Sequence, residues 1–168
     1  NLQIKNTKNN EILIDDVSLN LEKGKILGLI GQSGSGKTIL AQSLINWVNP
    51  PLKITSGKIN YDGFDILSLK KNEISKFVGR EISFIGNNPV GSFDPTLPVG
   101  VQILEKLLAV KPDISKKEGK KIILKTFESV KFPSTRKIFD EFPFQFSGGM
   151  MQRAIIVDSL ISNPKIMI

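Results

Sequence analysis

The chain has 168 residues with 23 Lys and Arg against 16 Asp and Glu, a formal net charge of +7, and neither Cys nor His. Its 40% hydrophobic and 23% charged content is that of a folded globular chain of about one domain. The missing Cys and His exclude a disulfide scaffold, a thiolate or imidazole metal site, and catalysis by a Cys nucleophile or a His base.

Short strands alternate with a helix in the first half of the chain. Strand patterns occur at residues 2–5, 17–21, 25–30 and 82–85. The run at 25–30 is apolar and is followed by glycine, which predicts a strand buried on both faces. Residues 37–47 have helical spacing and are followed by Asn49-Pro50-Pro51, which ends a helix. Asp62-Gly63, within residues 57–66, predicts a hairpin.

Helices predominate in the second half. Residues 99–110 and 115–131 have helical spacing, and Ser115 with Glu118 three residues later matches a capping box. Residues 139–146 are too irregular for a regular element, and Ser147 opens a helix that runs to about Ile161. Residues 165–168 begin another strand. The whole pattern predicts an α/β fold with a mainly parallel sheet, antiparallel strands near the N-terminus and a helical insert.

Residues 31–38 match the phosphate-binding pattern G-x-x-x-x-G-K-[ST] and read Gly31-Gln32-Ser33-Gly34-Ser35-Gly36-Lys37-Thr38. They stand between a predicted strand and a predicted helix, where such a loop is required. Glycine lets backbone N–H groups approach phosphate oxygens, and the start of the helix adds partial positive charge. Lys37 supplies a full charge for the β- and γ-phosphates, and the Thr38 hydroxyl is a ligand for Mg²⁺. The alternative is a Gly/Ser-rich surface turn.

Ser147-Gly148-Gly149 repeats this chemistry farther along the chain, since it combines a hydroxyl, bare backbone amides and the start of a helix. Taken alone, the triplet is a common way to begin a helix. One nucleotide cannot easily contact both loops within one compact domain. Two copies arranged head to tail can share it, each completing the site of the other.

Both loops resemble those of the ATP-binding subunits of ABC transporters. Residues 31–38 resemble the Walker A loop, and Phe146-Ser147-Gly148-Gly149-Met150 resembles the signature motif, usually L-S-G-G-Q. Further stretches resemble the oligopeptide, dipeptide and nickel importer branch, with Ser92-Phe93-Asp94-Pro95 similar to S-L-N-P, residues 99–103 to V-G-E-Q-I, and residues 142–150 to Y-P-F-Q-L-S-G-G-M. The resemblance extends from Leu2 to Ile168.

The resemblance implies a set of residues that bind ATP and Mg²⁺. The Walker A contacts are Gly31, Gln32, Ser33, Gly34, Ser35, Gly36, Lys37, Thr38 and Ile39, and the signature contacts, made to the ATP of a second subunit, are Ser147, Gly148, Gly149 and Met150. The Q-loop glutamine falls on Asn87, in the loop predicted at residues 86–89, and its amide is one methylene shorter. Thr38 and Asn87 are the implied Mg²⁺ ligands. The adenine-stacking aromatic that is common in the family has no counterpart at residues 7–10.

The resemblance also implies an incomplete ABC ATP-binding domain, a P-loop NTPase whose C-terminal part is missing. Its parts are a core at 1–98, a helical insert at 99–142, and the signature, its helix and the start of the Walker B strand at 143–168. The Walker B Asp and the catalytic Glu are expected beyond Ile168, and both ends of the chain are expected to be cut. This fragment is therefore expected to bind ATP without hydrolysing it alone.

The implied full-length protein is an ATPase that drives import of a peptide, a metal or a metal chelate. Its implied partners are a second ATP-binding subunit, identical or different, transmembrane permease subunits and, indirectly, an extracytoplasmic solute-binding protein. No nucleic acid is expected as a partner. The implied location is peripheral, on the cytoplasmic face of the cell membrane. The sequence agrees, since no apolar run approaches the roughly 18 to 20 residues of a spanning helix.

Three other functions stay open on the residues alone. A soluble ABC-type ATPase of nucleic-acid metabolism would show coiled-coil heptads or tandem domains, and the region after Thr38 shows neither. A P-loop kinase or GTPase leaves residues 146–153 unexplained. A binding module could contact an acidic partner through residues 111–137, where eight Lys and Arg136 face three acidic residues. The apolar residues among these lysines favour a solvated helix face instead.

Overall fold

The computed structural model describes residues 1–88, 90–135 and 137–168, in two compact units at 1–74 and 75–168. The strands β1 to β7 are Leu2–Asn6, Ile12–Val17, Leu52–Ser56, Asn60–Tyr61, Phe64–Asp65, Ile82–Ser83 and Ile166–Met167. The helices α1 to α5 are Lys37–Ser43, Lys71–Phe77, Val99–Val110, Lys116–Ser129 and Gly148–Leu160. Among these described helices, none combines the length and apolar character needed to cross a membrane.

The first unit is built on a three-stranded antiparallel sheet in the order β2-β1-β3. Ile4, on the central strand, is completely buried. The strand predicted at 2–5 is confirmed, but the one predicted at 17–21 is wrong, because β2 ends at Val17. A short turn at residues 7–10 joins β1 to β2, with the Asn6 N–H donating to the Glu11 carbonyl at 2.8 Å and Asn10 at a φ of 59°. Because this turn is short, β2 begins at Ile12, five residues earlier in the chain than the predicted strand.

The prediction of a buried strand at residues 25–30 is also wrong. Ile26 is 100% exposed and Ile30 is 99% exposed, and no strand is formed here. A buried strand needs neighbours that take up its backbone hydrogen bonds. In the described part of the chain no strand pairs with these residues, because β1, β2 and β3 pair only with one another.

Helix α1 is shorter than predicted. It begins at Lys37 as expected but ends at Ser43, not at residue 47. Asn46 takes the left-handed conformation, with φ at 52°, and the Asn46 N–H donates to the Ser43 carbonyl at 2.9 Å. Such a residue ends a helix by tightening its last turn.

The predicted hairpin is confirmed as β4 paired with β5. Its two-residue turn is Asp62-Gly63, with φ values of 49° and 93°. Both residues have positive φ, which is the geometry of the turn that matches the twist of paired strands.

The second unit combines a short parallel pair, β6 with β7, with three packed helices. The helices predicted at 99–110, at 115–131 and after Ser147 are confirmed as α3, α4 and α5. The capping box is present, with the Ser115 hydroxyl accepting from the Glu118 N–H at 3.2 Å. The sequence predicted a mainly parallel sheet. In the described residues, parallel pairing is limited to β6 with β7 and one isolated bridge, because residues 25–30 form no strand.

A continuous apolar core holds α3, α4 and α5 together. Its fully buried side chains are Val99, Ile103, Leu107, Ile123, Phe127, Ile138, Ala154 and Val157. Full burial of each large side chain contributes roughly 1.5–3 kcal/mol, so the core fixes how the three helices pack.

Candidate nucleotide-binding site

The Walker A-like loop is closed by the side chain of Lys37. Its ammonium donates to the Gly31 carbonyl at 2.8 Å, the Gln32 carbonyl at 2.5 Å and the Ser35 hydroxyl at 3.2 Å. The loop thereby wraps around one positive charge at the start of α1. That charge lies where negatively charged oxygens would meet the backbone N–H groups of the loop.

Glycine is required at two positions of this loop. Gly34 and Gly36 have φ values of 82° and 86°, a region that residues with a Cβ rarely adopt. A Cβ on Gly36 would also lie 2.7 Å from Cδ1 of Ile14, on β2. The Gly36 carbonyl accepts from the Leu40 N–H at 2.9 Å, so this residue also starts the helix.

The remaining Walker A-like residues surround the loop at the start of α1. Gln32, Ser33 and Thr38 are exposed, and Ile39 is half-buried on α1. An exposed hydroxyl at Thr38 is accessible to a cation. The described residues contain no group of three or more Asp, Glu, His or Cys that could hold a metal ion by themselves.

The signature-like residues lie at the start of α5, in the second unit. Ser147 is the N-cap, and its hydroxyl accepts from the Met150 N–H at 3.3 Å. Ser147, Gly148 and Gly149 are exposed, and a Cβ on either glycine would have no atom within 4 Å. The glycines are therefore not required by packing in this chain. Their bare surface leaves the first backbone N–H groups of the helix accessible.

The second unit fixes the position of this helix start. Phe146 packs on Phe132 with ring centroids 5.4 Å apart, and Phe132 packs on the buried Phe127 at 4.8 Å. The Arg153 guanidinium donates to the carbonyl of Lys131, two residues after the end of α4. Ser147 is therefore presented by a helix that is packed against a solid core.

Asn87, the Q-loop position, is exposed in the loop that follows β6. The loop predicted at 86–89 is described for residues 86–88, and Pro89 lies outside the described residues, as does Arg136 of the basic segment. Asn87 and the signature-like residues belong to the second unit, and the Walker A-like loop belongs to the first.

Gln102 organises the S-L-N-P-like segment, a role that sequence reasoning missed. Its amide donates to the carbonyls of Asp94 at 2.9 Å and Leu97 at 2.8 Å, and its Oε1 accepts from the Asp94 N–H at 2.9 Å. The Thr96 hydroxyl donates to the Asp94 carboxylate at 2.6 Å, which together with the Thr96 N–H lowers the pKa of Asp94. The signals in the sequence were the position of Gln102 in the first turns of a predicted helix and its match to the Q of the V-G-E-Q-I stretch.

Comparison with known proteins identifies the family of the chain. The family model for ABC transporters matches residues 14–168. The chain belongs to the ABC transporter family. The predicted resemblance and the predicted ABC-type P-loop NTPase fold are therefore confirmed.

Curated relatives of this ABC transporter chain include subunits of import systems. It is 38% identical over 155 residues to the dipeptide transport ATP-binding protein DppD of Lactococcus lactis, covering 92% of this chain and 44% of that protein. It is 38% identical over 156 residues to the oligopeptide transport ATP-binding protein OppD of Bacillus subtilis, covering 92% and 43%. It is 34% identical over 167 residues to the metal-staphylopine import system ATP-binding protein CntD of Staphylococcus aureus, covering 99% and 61%. The chain thus spans 43% to 61% of the length of these relatives.

Solved structures show the same fold. The chain is similar to a dimeric structure of MJ0796, a bacterial ABC transporter cassette, and to a dimeric post-hydrolysis state of that cassette bound to ADP and Pi. Each comparison has a TM-score of 0.80 at 24% identity and covers 99% of this chain and 72% of the other chain.

Proposed function

We propose that this chain is the nucleotide-binding part of an importer subunit that couples ATP binding and hydrolysis to uptake of a peptide or a metal chelate. The observation that carries the proposal is the ring of three hydrogen bonds that Lys37 makes within a G-x-x-x-x-G-K-T loop. The names of the relatives support the cargo class, because they describe dipeptide, oligopeptide and metal-staphylopine import.

Nucleotide binding begins at the Walker A-like loop. Lys37 exchanges bonds to the loop carbonyls for bonds to the β- and γ-phosphate oxygens, and its charge-assisted bonds to phosphate are stronger than those to neutral carbonyls. The backbone N–H groups around Gly34 and Gly36 contact the remaining oxygens. The Thr38 hydroxyl would be a ligand for Mg²⁺, and the ion would neutralise negative charge on the phosphates during phosphoryl transfer.

The signature-like residues act on the nucleotide of a second subunit. The N–H groups of Gly148 and Gly149 and the Ser147 hydroxyl approach the γ-phosphate from the opposite side, so that one nucleotide holds two subunits together. The 3.3 Å bond from the Met150 N–H fixes the Ser147 hydroxyl at the tip of the helix. Asn87 lies in the loop that would sense the γ-phosphate, and its shorter amide would contact Mg²⁺ through a water molecule.

The subunit works with transmembrane permease subunits on the cytoplasmic face of the membrane, and with a solute-binding protein that delivers the cargo to them. The segment ordered by Gln102, at residues 94–97, belongs to the region through which closure of the two ATP-binding subunits is passed to the permease. ATP-driven closure then changes the permease conformation, and hydrolysis resets it.

Nucleotide binding is tested by Lys37→Ala in the full-length protein. We expect ATP affinity, measured by calorimetry, to fall more than about ten-fold, because a charged hydrogen-bond donor is lost. Lys53→Ala, an exposed lysine on β3 in the same unit, is the control and leaves affinity unchanged. Equal ATP affinity in Lys37→Ala and the wild type would contradict the proposal.

The shared site is tested by Ser147→Arg. We expect ATP binding to the monomer to be retained, while ATP-driven dimerisation, measured by sedimentation, and ATP turnover are lost. Ser147→Ala removes the N-cap without adding bulk, so it lowers stability by about 1 kcal/mol but preserves a dimer. Loss of ATP binding by the Ser147→Arg monomer would show that the site is not shared.

A further inference from the structure

An exposed aromatic ring stands three residues before Ser147. Phe144 is 76% exposed, although Pro143 just before it is buried and Phe146 two residues later packs on Phe132. One side of its ring lies against Phe142, with ring centroids 5.7 Å apart and planes inclined by only 18°. Two nearly parallel rings whose outer face meets solvent form a platform that a third planar ring can extend.

The turn that carries Phe144 is held in place before any ligand binds. The Phe142 N–H donates to Oε1 of Gln145 at 2.7 Å, and the Phe146 N–H donates to the Pro143 carbonyl at 3.1 Å. Pro143 itself is buried. Since the backbone is fixed and the ring is supported from behind, little conformational freedom is left to lose on binding.

The ring is within reach of the base of a shared nucleotide. Residues 143–145 form a 3₁₀ turn, which rises about 2 Å per residue, so the three steps from Phe144 to Ser147 advance the backbone by roughly 6 Å. The Phe144 side chain extends this reach further. With Ser147 at the γ-phosphate, Phe144 lies at a distance where that base can be contacted. The phosphate loop lies in a stretch without aromatics, since the first 46 residues contain no Phe, Tyr or Trp.

We propose that Phe144 stacks on the base of the nucleotide held by the phosphate loop of a second copy, with Phe142 supporting its other face. The inference rests on the proposed function, because it requires a nucleotide shared between two copies. It adds a base-binding residue to a segment otherwise assigned to the triphosphate. Stacking uses the face of the base, so it adds affinity without reading the edge of the base.

The test uses the full-length protein and 2-aminopurine riboside triphosphate, whose fluorescence is quenched when its base stacks on an aromatic ring. We expect quenching in the wild-type dimer and in Phe144→Tyr, and its loss in Phe144→Ala even at saturating nucleotide. The nucleotide affinity of the Phe144→Ala dimer should fall about ten-fold, while that of the dilute monomer stays unchanged. The control is Phe64→Ala, an exposed aromatic on β5, which keeps the wild-type quenching.

Loss of the stacking contact and loss of the shared site give different results in this experiment. If Phe144→Ala retains quenching and affinity in a nucleotide-driven dimer, the stacking role is overturned and the shared site stands. If Phe144→Ala weakens monomer and dimer equally, the effect is not made across copies and the inference is also overturned. If the wild type forms no dimer with nucleotide, the proposed function itself is overturned.

Discussion

The ammonium of Lys106, on α3, lies 2.6 Å from Oδ2 of Asp158 and 2.7 Å from the backbone carbonyl of the same residue, near the end of α5. Both side chains are 29% exposed, so the pair is partly shielded from water. Gln102, which orders residues 94–97, lies one turn earlier on α3. Helix α3 thus connects the S-L-N-P-like segment to the helix that presents Ser147.

We predict a measurable coupling energy between Lys106 and Asp158. A double-mutant cycle with Lys106→Met and Asp158→Asn, measured by urea unfolding, should give a coupling energy of about 1 kcal/mol. The coupling energy of a partly shielded, charge-assisted pair is larger than that of an exposed pair. The matched control is Lys165 with Glu81 at 2.9 Å, whose side chains are 66% and 36% exposed. That pair should couple by less than about 0.5 kcal/mol, and equal coupling in both cycles would contradict the role of shielding.

Two helical glycines should respond differently to alanine. A Cβ on Gly100 would lie 2.8 Å from the Ile138 carbonyl oxygen, which belongs to the backbone and also accepts from the Gly100 N–H. A Cβ on Gly119 would lie 2.6 Å from Cδ1 of Leu104, the movable end of a side chain. We expect Gly100→Ala to lower the free energy of unfolding by about 1–3 kcal/mol.

Gly119→Ala is the comparison for Gly100→Ala. Alanine has a higher helix propensity than glycine, by up to about 1 kcal/mol, and this gain offsets the cost of moving the Leu104 side chain. Its free energy of unfolding in urea should therefore stay within about 1 kcal/mol of the wild type. A Gly119→Ala cost as large as that of Gly100→Ala would mean that Leu104 cannot move.

The phosphate loop should lose stability and nucleotide affinity together on substitution of Gly36. Gly34→Ala and Gly36→Ala each place a Cβ at positive φ, at a cost of about 1–2 kcal/mol. Gly36→Ala adds the clash with Cδ1 of Ile14, so it should be the more costly of the two. In an Ile14→Val background, which removes that methyl group, Gly36→Ala should cost less. An unchanged cost there, measured by unfolding and ATP titration, would rule out the clash.

The capping box of α4 should lose its effect in acid. Hydrogen bonds from the backbone and then the hydroxyl of Ser115 lower the pKa of Glu118. Because the folded-state pKa is the lower one, the contribution is complete above the ordinary carboxyl pKa of about 4.3 and is lost as the pH falls through the folded-state value. Glu118→Ala should therefore lower the Tm at pH 7, and the difference should shrink toward pH 3. Lys117→Ala, in the same turn, should show no such convergence.

Local chemistry made much of the chain predictable. The helix that starts at Lys116 follows from a capping box, and the hairpin follows from Asp62-Gly63, because each signal acts between residues that are close in sequence. The phosphate loop was predictable for the same reason, since its glycines and Lys37 interact within seven residues. Residues 7–10 include Asn9 and Asn10, a residue type that favours turns, and β2 follows this turn at Ile12 rather than at the predicted residues 17–21.

The sequence by itself determined the family, the phosphate loop, the helix that presents Ser147 and most helix boundaries, because motifs, caps and turns are local. Only the tertiary structure decided the pairing of Lys106 with Asp158 and the hydrogen bonds between Gln102 and Asp94. It also decided the exposure of Phe144 and the absence of a strand at residues 25–30. The physical reason is that an apolar segment has a preference for burial, but its sequence does not show which other segment it packs against. Which groups meet depends on packing between segments that are far apart in the chain.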